Sequence, residues 1–372
     1  MRVTHLVKAV GIAGAERHLL TLIPGLRARG VDADLILLVE KDRMLDDYVS
    51  LMEAAGVPVE RRTIRRHIDL TLIPWLNGRL RQRKPDILHT HLIHADLYGT
   101  LAAWGTGVRV VSSRHNDDPF RTNTPYRQLI RFLWRLTDAG ISISSAVSRF
   151  SVETEDAPAD KLNVVHYGIA HRRPAIDKRA ARTELCEELQ LAPDVFIIGI
   201  VARLIAQKGI DDGLRAFKRV VDVFPNAHLV VAGDGTLRQA LETETERLQI
   251  SNNVHFLGWR SNALRVMAAL DIFLMPSLWE GFGLTLLEAM SVSVPVVATT
   301  VSAIPEIVVH QETGLLVPPR DVVALAEATL LLLEDSALRH HMGMLGEDRL
   351  ETYFSADRMI DQTLAVYQRV VG

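Results

Sequence analysis

Glu280 and Glu288 stand eight residues apart in Asp271-Ile-Phe-Leu-Met-Pro-Ser-Leu-Trp-Glu280-Gly-Phe-Gly-Leu-Thr-Leu-Leu-Glu288, a stretch that runs on to Pro295-Val-Val-Ala298. Two carboxylates at that spacing can act as an acid/base couple or hold the hydroxyls of a polar ligand; they can also be plain solvated charge. Gly281 and Gly283 let a backbone come close to a bulky polar group. Arg203 and Lys208 lie in Val201-Ala-Arg-Leu-Ile-Ala-Gln-Lys-Gly209, directly after an apolar run. Two fixed cations there can clamp a diphosphate, arginine as a bidentate fork and lysine as a point charge. Solvated surface charge is again the plain alternative. Gly233-Asp-Gly235 closes another apolar run as a tight turn.

Histidines gather in His89-Thr-His91-Leu-Ile-His94, with His115 in Ser113-Arg-His-Asn-Asp. A His-x-His pair at a strand end can ligate zinc, but no carboxylate or cysteine set matches it, so no metal site is assigned. Both groups fall at carboxyl ends of predicted strands. Imidazoles lining a cleft there can donate to a sugar hydroxyl or to developing charge. Gly11-Ile-Ala-Gly14-Ala-Glu16 follows the first strand like a dinucleotide fingerprint, but it lacks the third glycine and a clean acidic residue after the second strand. It reads better as a loop approaching phosphate or sugar. Asp32-Ala-Asp34 has the D-x-D pattern of metal-dependent sugar transferases, yet it enters a strand at the edge opposite the predicted cleft and is rejected.

These residues must be positioned by alternating strands and helices. Apolar runs predict strands near 2–7, 33–39, 57–60, 86–89, 108–112, 140–143 and 162–165, with helices such as 15–29, 69–83 and 94–103 between them. A second series starts at Phe196 and continues through 227–232, 253–257, 271–275, 294–298 and 314–317. Leu284, Leu287, Met290 and Val294 recur at helical spacing, which predicts that residues 284–291 bury one face of a helix. Such alternation means parallel sheets built from βαβ units, with ligands at the carboxyl edges. The expectation is an α/β chain of two doubly wound domains facing across a cleft. The polar stretch from Ala170 to Lys178 is the linker candidate, which gives domains 1–170 and 171–350. The segment 321–372 reads as helical, and 351–372 is expected to pack back onto the first domain.

At 372 residues, 48% hydrophobic and 23% charged, the composition is that of a globular enzyme, and a net charge of −3 argues against nucleic-acid binding. One cysteine, Cys186, excludes an intramolecular disulfide and a cysteine metal cage and fits a reducing cytoplasm. No signal peptide or membrane span is read, so a cytoplasmic protein is expected. Thr124-Pro-Tyr-Arg-Gln-Leu-Ile-Arg-Phe-Leu-Trp-Arg-Leu136 puts Tyr126, Leu129, Ile130, Leu133 and Leu136 on one helix face and Arg127, Arg131 and Arg135 on another. With Arg61, Arg62, Arg65, Arg66 and the Arg79–Lys84 run, that pattern suits peripheral contact with an anionic membrane; an ordinary sheet-covering helix is the alternative.

Taken together, Arg203…Lys208-Gly209, Gly233-Asp-Gly235, Phe256-Leu-Gly258, Glu280-Gly-Phe-Gly-Leu-Thr-Leu-Leu-Glu288 and Pro305-Glu306 resemble the retaining glycosyltransferases of the GT-B type, group-4 family. The resemblance spans the chain and is strongest over 196–318. It implies a GT-B fold of two Rossmann-like domains, and a hexosyl transfer from a UDP- or GDP-sugar to a glycan or lipid-linked acceptor in surface polysaccharide or glycolipid synthesis. Arg203 and Lys208 are implied to hold the diphosphate, Glu288 the ribose and Glu280 the sugar hydroxyls. The amides of Phe282, Gly283 and Leu284 are implied to meet sugar and phosphate, alongside the Gly233 turn. His115 is implied near the reacting sugar, and the loop at Gly14 over donor or acceptor. The family's reaction uses no metal and no cofactor beyond the nucleotide sugar as co-substrate, and the leaving phosphate accepts the acceptor's proton. Departures are Ala13 before Gly14, Ala202 before Arg203, Tyr167-Gly-Ile-Ala170 at the hinge, and the bulkier Val301-Ser-Ala-Ile before Pro305. Two other readings stay open: a nucleotide-sugar epimerase of the same fold, and a sugar-nucleotide-binding subunit without turnover.

Overall fold

The computed structural model describes residues 1–12, 14–64, 69–117, 123–170 and 176–372. Ala13, Arg65, Arg66 and residues 171–175 of the linker candidate thus lie outside the described residues. The chain forms two compact units: unit 1 is Met1–Ala170 with Phe354–Gly372, and unit 2 is His171–Tyr353.

Unit 1 alternates β1 (Arg2–Lys8), α1 (Gly14–Ala28), β2 (Asp32–Glu40), α2 (Asp46–Ala54), β3 (Val59–Ile64), α3 (Leu72–Arg83) and β4 (Ile87–His91). It continues with α4 (Leu92–Ala103), β5 (Arg109–Arg114), α5 (Thr124–Leu136), β6 (Ala139–Ser142), α6 (Ser145–Glu155) and β7 (Leu162–Val164). Among the described residues these strands make one sheet in the order β3-β2-β1-β4-β5-β6-β7, and the pairs are parallel.

Unit 2 runs α7 (Lys178–Leu189), β8 (Phe196–Val201), α8 (Ile210–Val223), β9 (Ala227–Ala232), α9 (Arg238–Arg247), β10 (Val254–Gly258) and α10 (Ala263–Ala268). Then come β11 (Ile272–Met275), α11 (Leu284–Ser291), β12 (Val296–Thr299), α12 (Ile304–Ile307), β13 (Gly314–Val317), α13 (Val322–Glu334) and α14 (Ser336–Tyr353). Its strands are ordered β10-β9-β8-β11-β12-β13, again parallel. Both orders reverse direction beside the first strand of the sheet, at β1/β4 and at β8/β11. Those are the switch points where crossover loops diverge and leave room for a ligand at the strands' carboxyl ends.

Local chemistry accounts for the elements. β11 and β12 are buried along their whole length, so they read as unbroken apolar runs. In α8, Ile210, Leu214, Phe217 and Val220 recur at helical spacing, and all four are buried in the unit 2 core. Ser144 caps α6 by accepting from the Val147 amide, and Asp177 caps α7 through the amides of Arg179 and Ala180. The last helix, α15 (Ala356–Val371), belongs to unit 1, where Arg29, just after α1, pairs with Asp357 and Asp361. No helix among the described residues is long and apolar enough to cross a membrane.

α11 spans the expected 284–291, but one expectation is corrected: Val294 lies beyond the helix, and Leu284 is only half-buried while Leu286 and Ala289 are buried with Leu287 and Met290. Packed between sheet and neighbouring helices, α11 is covered on more than the single face its spacing predicts.

The two faces of the unit 1 sheet differ sharply. Side chains alternate along a strand, so Ser112 and Arg114 of β5 face α4 and α6, while Ser113 and then His115 turn to the side of α1 and α15. On the first face Arg114 is ion-paired with Asp96 of α4 and, at 3.0 Å, with Glu155 of α6, all three side chains being at most 5% exposed. The Arg114 guanidinium also lies 4.7 Å from the centre of the Trp134 ring. Burial works against its charge, but the two carboxylates outweigh burial and hold its pKa above the ordinary arginine value. Removing one member of such a set strands buried charge. Arg114→Met is expected to destabilise unit 1 by about 3–5 kcal/mol, read as a lowered urea midpoint; an unchanged midpoint contradicts this role for the triad.

Candidate active site

Unit 2 gathers its charged candidates at the carboxyl ends of β8, β9 and β11. The loop after β8 carries Arg203 and Lys208, and the loop after β11 carries Glu280. These two loops are tied together: the Leu278 amide donates to the Gln207 carbonyl at 2.8 Å, and the Gln207 side-chain amide donates to the Trp279 carbonyl at 3.1 Å. Gly209 allows the approach. It sits at φ 56 as the N-cap of α8, and a Cβ there would lie 2.1 Å from the Pro276 carbonyl oxygen. The third loop joins in the same way. The Leu204 amide donates to Asp234, and at Gly233, φ +142, a Cβ would stand 1.9 Å from the Ala202 oxygen.

Within this frame Lys208 and Glu280 form an ion pair, with side chains only 13% and 12% exposed. The Arg203 side chain is exposed and makes no hydrogen bond or ion pair among the described residues, while its carbonyl accepts from the Ile205 amide at 2.9 Å. The Glu280 amide donates to the Ser302 hydroxyl at 3.3 Å. Phe282 is buried, Gly283 is the left-handed N-cap of α11, and Leu284 is its first residue, so the amides of all three lie at or beside that helix N-terminus. Glu288 is half-buried in the middle of α11. Arg203, Lys208, Gly233, Glu280, Phe282, Gly283 and Leu284 thus come together on one edge of one sheet. Gln207 and Ser302 hold the same loops and were not singled out from sequence. Each is a small polar residue whose partner is a distant backbone group, a signal no spacing rule carries.

Unit 1 places its candidates differently. Gly14 opens α1, whose Glu16 is buried. His89 and His91 are not cleft-lining donors, because β4 is buried throughout and their rings lie inside the sheet's α1 and α15 side. His89 Nδ1 meets the Tyr367 hydroxyl at 2.5 Å and its Nε2 meets the Ser113 hydroxyl at 2.7 Å. His91 Nε2 meets His5 Nδ1 at 3.0 Å, and His91 Nδ1 meets His115 Nε2 at 3.2 Å. His115 Nδ1 in turn is hydrogen-bonded to the Tyr167 hydroxyl. His115, 7% exposed, therefore has both ring nitrogens engaged within unit 1. His18 of α1 stacks on Tyr167 with ring centres 4.3 Å apart.

His5, His89 and His91 bring ring nitrogens within 4.8 Å of one another, a spacing three metal ligands can have. The trio contains no carboxylate or thiolate, and its rings are already bonded to one another and to hydroxyls, so the geometry is that of a hydrogen-bonded cluster. Burial pushes His5 and His18 down to about 3 and holds His89 and His91 well below the ordinary value, while it raises Tyr167 and Tyr367. His5, His18, Tyr167 and Tyr367 were not read as site residues. A histidine inside an apolar strand such as Val3-Thr-His5-Leu-Val7 was the available signal.

The basic surface is smaller than its composition implies. Arg61 pairs with Asp46, Arg79 and Arg83 with Glu60, Arg83 also with Asp34, and Arg127 with Asp156. Arg62 and Arg79 lie over the Trp75 ring. In α5, Ile130, Leu133 and Trp134 are buried as a sheet-covering helix requires, which leaves Arg131, Arg135 and the 42% exposed Phe132 outside.

Comparison with known proteins adds a family to this geometry. The family described as "Glycosyltransferase Family 4" matches residues 12–173, and "Glycosyl transferases group 1" matches 181–349. A lipopolysaccharide core biosynthesis mannosyltransferase, LpsB of Rhizobium meliloti, is 30% identical over 250 residues, 65% of this chain and 68% of its own. An Escherichia coli UDP-Gal:alpha-D-GlcNAc-diphosphoundecaprenol alpha-1,3-galactosyltransferase is 25% identical over 346 residues, 90% of this chain and 88% of its own. Among solved structures, Anabaena HepE in complex with UDP superposes with a TM-score of 0.84 at 20% identity, covering 99% of this chain and 100% of that one.

The buried histidines carry a pH signature. Unfolded, each takes a proton near its ordinary value of 6.5; folded, His5 and His18 do so only near 3. Between those values the unfolded chain binds more protons, so stability falls as pH drops below 6.5 and levels off below 3. Each such histidine contributes up to about 1.4 kcal/mol per pH unit. The urea midpoint of unit 1 is expected to fall from pH 7 to pH 5, and His5→Phe to flatten that slope; an identical slope in the variant contradicts it.

Proposed function

Because the chain belongs to glycosyltransferase family 4 and has the GT-B fold, we propose that it moves a sugar from a UDP- or GDP-sugar to a glycan or lipid-linked acceptor. The transfer retains the anomeric configuration and needs no metal. The observation that carries this reading is the edge at β8/β11, where exposed Arg203 stands in one loop with Lys208, and Lys208 is held by Glu280 beside the N-terminus of α11. The relatives' names point the same way: one is a mannosyltransferase of lipopolysaccharide core biosynthesis, another a galactosyltransferase named for a UDP-sugar and a diphosphoundecaprenol-linked sugar. A place in surface polysaccharide or glycolipid synthesis follows.

In this reading Arg203 forks onto the diphosphate and Lys208 turns part of its charge from Glu280 to a phosphate oxygen. The freed Glu280 oxygen accepts from a sugar hydroxyl, and Glu288 accepts from the ribose hydroxyls. As the bond from the anomeric carbon to the phosphate oxygen breaks, the leaving diphosphate gains charge, which the two cations and the helix N-terminus stabilise more than they stabilise the bound donor. The acceptor oxygen bonds to the anomeric carbon on the same face, and its proton passes to the departing phosphate oxygen. No protein nucleophile is required. His115 is assigned to the sugar side of the reaction, and acceptor selection to the loops of unit 1.

Calorimetry with UDP-, GDP- and ADP-sugars tests the donor. At least one is expected to bind saturably, and Lys208→Ala to weaken it by about tenfold to a hundredfold, the worth of one charge-assisted hydrogen bond. Glu280→Gln is expected to keep nucleotide binding while transfer falls. Binding by no panel member sinks the proposal; donor conversion without acceptor identifies an epimerase, and binding without any turnover a non-catalytic subunit.

The outer face of α5 favours a second element. Arg131 and Arg135 flank exposed Phe132, an apolar side chain between two cations, which suits the headgroup layer of an anionic membrane. We assign the protein to the cytoplasmic side as a peripheral binder. It is expected to float with anionic liposomes at low salt and to lose this in R131E/R135E; a wild-type chain that never floats removes the assignment.

A further inference from the structure

We propose that His5, His91 and His115 form a head-to-tail row of neutral imidazoles ending on the Tyr167 hydroxyl, and that His91 is a positioning residue that sets the tautomer of His115. The functional side of this inference rests on His115 serving the proposed transfer; the row itself does not.

Each link joins Nδ1 of one ring to Nε2 of the next: His5 Nδ1 to His91 Nε2 at 3.0 Å, then His91 Nδ1 to His115 Nε2 at 3.2 Å. The last link joins His115 Nδ1 to the Tyr167 hydroxyl. A neutral imidazole has one N–H and one bare nitrogen. Two N–H groups or two bare nitrogens facing each other make no bond, and in a buried site each failed link leaves two polar groups unpaired. Only two arrangements complete every link. Either all three rings carry the proton on Nδ1 and Tyr167 accepts, or all three carry it on Nε2 and Tyr167 donates. The three tautomers are therefore coupled, and His115 cannot change its own without the others.

Neutrality is supported by burial, which holds His5 and His91 far below their ordinary values and keeps Tyr167 protonated. The inner end is closed, since His5 Nε2 has no hydrogen-bond partner among the described residues. The row thus carries no proton through the molecule; it stores a polarity. The other two histidines stay out of it. His89 is held by Tyr367 and Ser113, and His18 offers Tyr167 a ring face. What the row decides is whether a group that displaces Tyr167 from His115 meets an N–H or a bare nitrogen at Nδ1.

The test uses the full chain with ring-15N histidine and long-range proton–nitrogen correlation at pH 7, the rings being assigned from single His→Gln variants. His5, His91 and His115 are expected to show one and the same tautomer. Different tautomers among the three, or an imidazolium at any of them, overturn the proposal. So does zinc titration that removes the free nitrogen signals of His5 and His91, since a metal would then own those atoms. In His91→Phe, His115 is expected to become a tautomer mixture; an unchanged single tautomer in a folded variant overturns the positioning role, and the wild-type spectrum stands even where that variant does not fold. In a transfer assay His91→Gln is expected to lower kcat by about tenfold or more while donor KM stays within about twofold, the pattern of a lost orienting contact. If no donor supports transfer, the proposed function fails while the spectra still judge the row. If transfer proceeds and the tautomers disagree, the row alone fails.

Discussion

Backbone meeting backbone at the carboxyl edge of the second sheet is the constraint on which the rest of unit 2 depends. At Gly209 and Gly233 any side chain would occupy the space of a neighbouring carbonyl oxygen. Because none is there, the loops after β8, β9 and β11 stack directly on one another and exchange main-chain hydrogen bonds. Lys208 and Glu280 meet as a consequence, 72 residues apart in sequence yet on loops that cannot drift. A partly buried ion pair of this kind adds little stability by itself, since desolvation offsets most of the attraction. Its value lies elsewhere. The pair holds a cation and a carboxylate in fixed positions at the sheet's edge without a bare charge being buried.

Unit 1 solves a different electrostatic problem. Its central strands β4 and β5 carry polar side chains through a fully buried region, which their neighbours must satisfy. One face does so with charge, closing Arg114 between Asp96 and Glu155. The other does so with neutral rings, each histidine giving one nitrogen to the next. Both solutions depend on strand register: shifting β4 by one residue would send His89 and His91 to the charged face and Thr90 to the other. The buried polar groups therefore specify the alignment of β4 against β1 and β5 more strictly than apolar residues would.

The architecture was legible because βα units advertise themselves locally. Apolar runs such as Phe196–Val201 and helices such as α8 obey periodicities that a short window resolves, and each charged motif of unit 2 lies next to the strand that positions it. The Lys208–Glu280 pairing was not legible, since it is a product of glycine-permitted loop stacking. The histidine cluster was half legible. His89, His91 and His115 were visible as a group, but their burial depends on helices from both ends of the chain, α1 bringing His18 and α15 bringing Tyr367 from 278 residues away. The ion pairs of the basic patch were not legible for the same reason: Arg61, Arg83 and Arg127 each find a carboxylate only through tertiary contact.

The first six strands of unit 1 are ordered like the six of unit 2, with opposite chemistry at the switch points, and the difference follows from what each edge must tolerate. At the unit 2 edge Arg203 stays in water and Lys208 leans on Glu280. An edge built from imidazoles deep in a sheet does not hold charge at His5, His89 or His91, because burial favours their neutral form. It can hold direction instead, since neutral rings bonded head to tail retain an orientation that no single ring fixes alone.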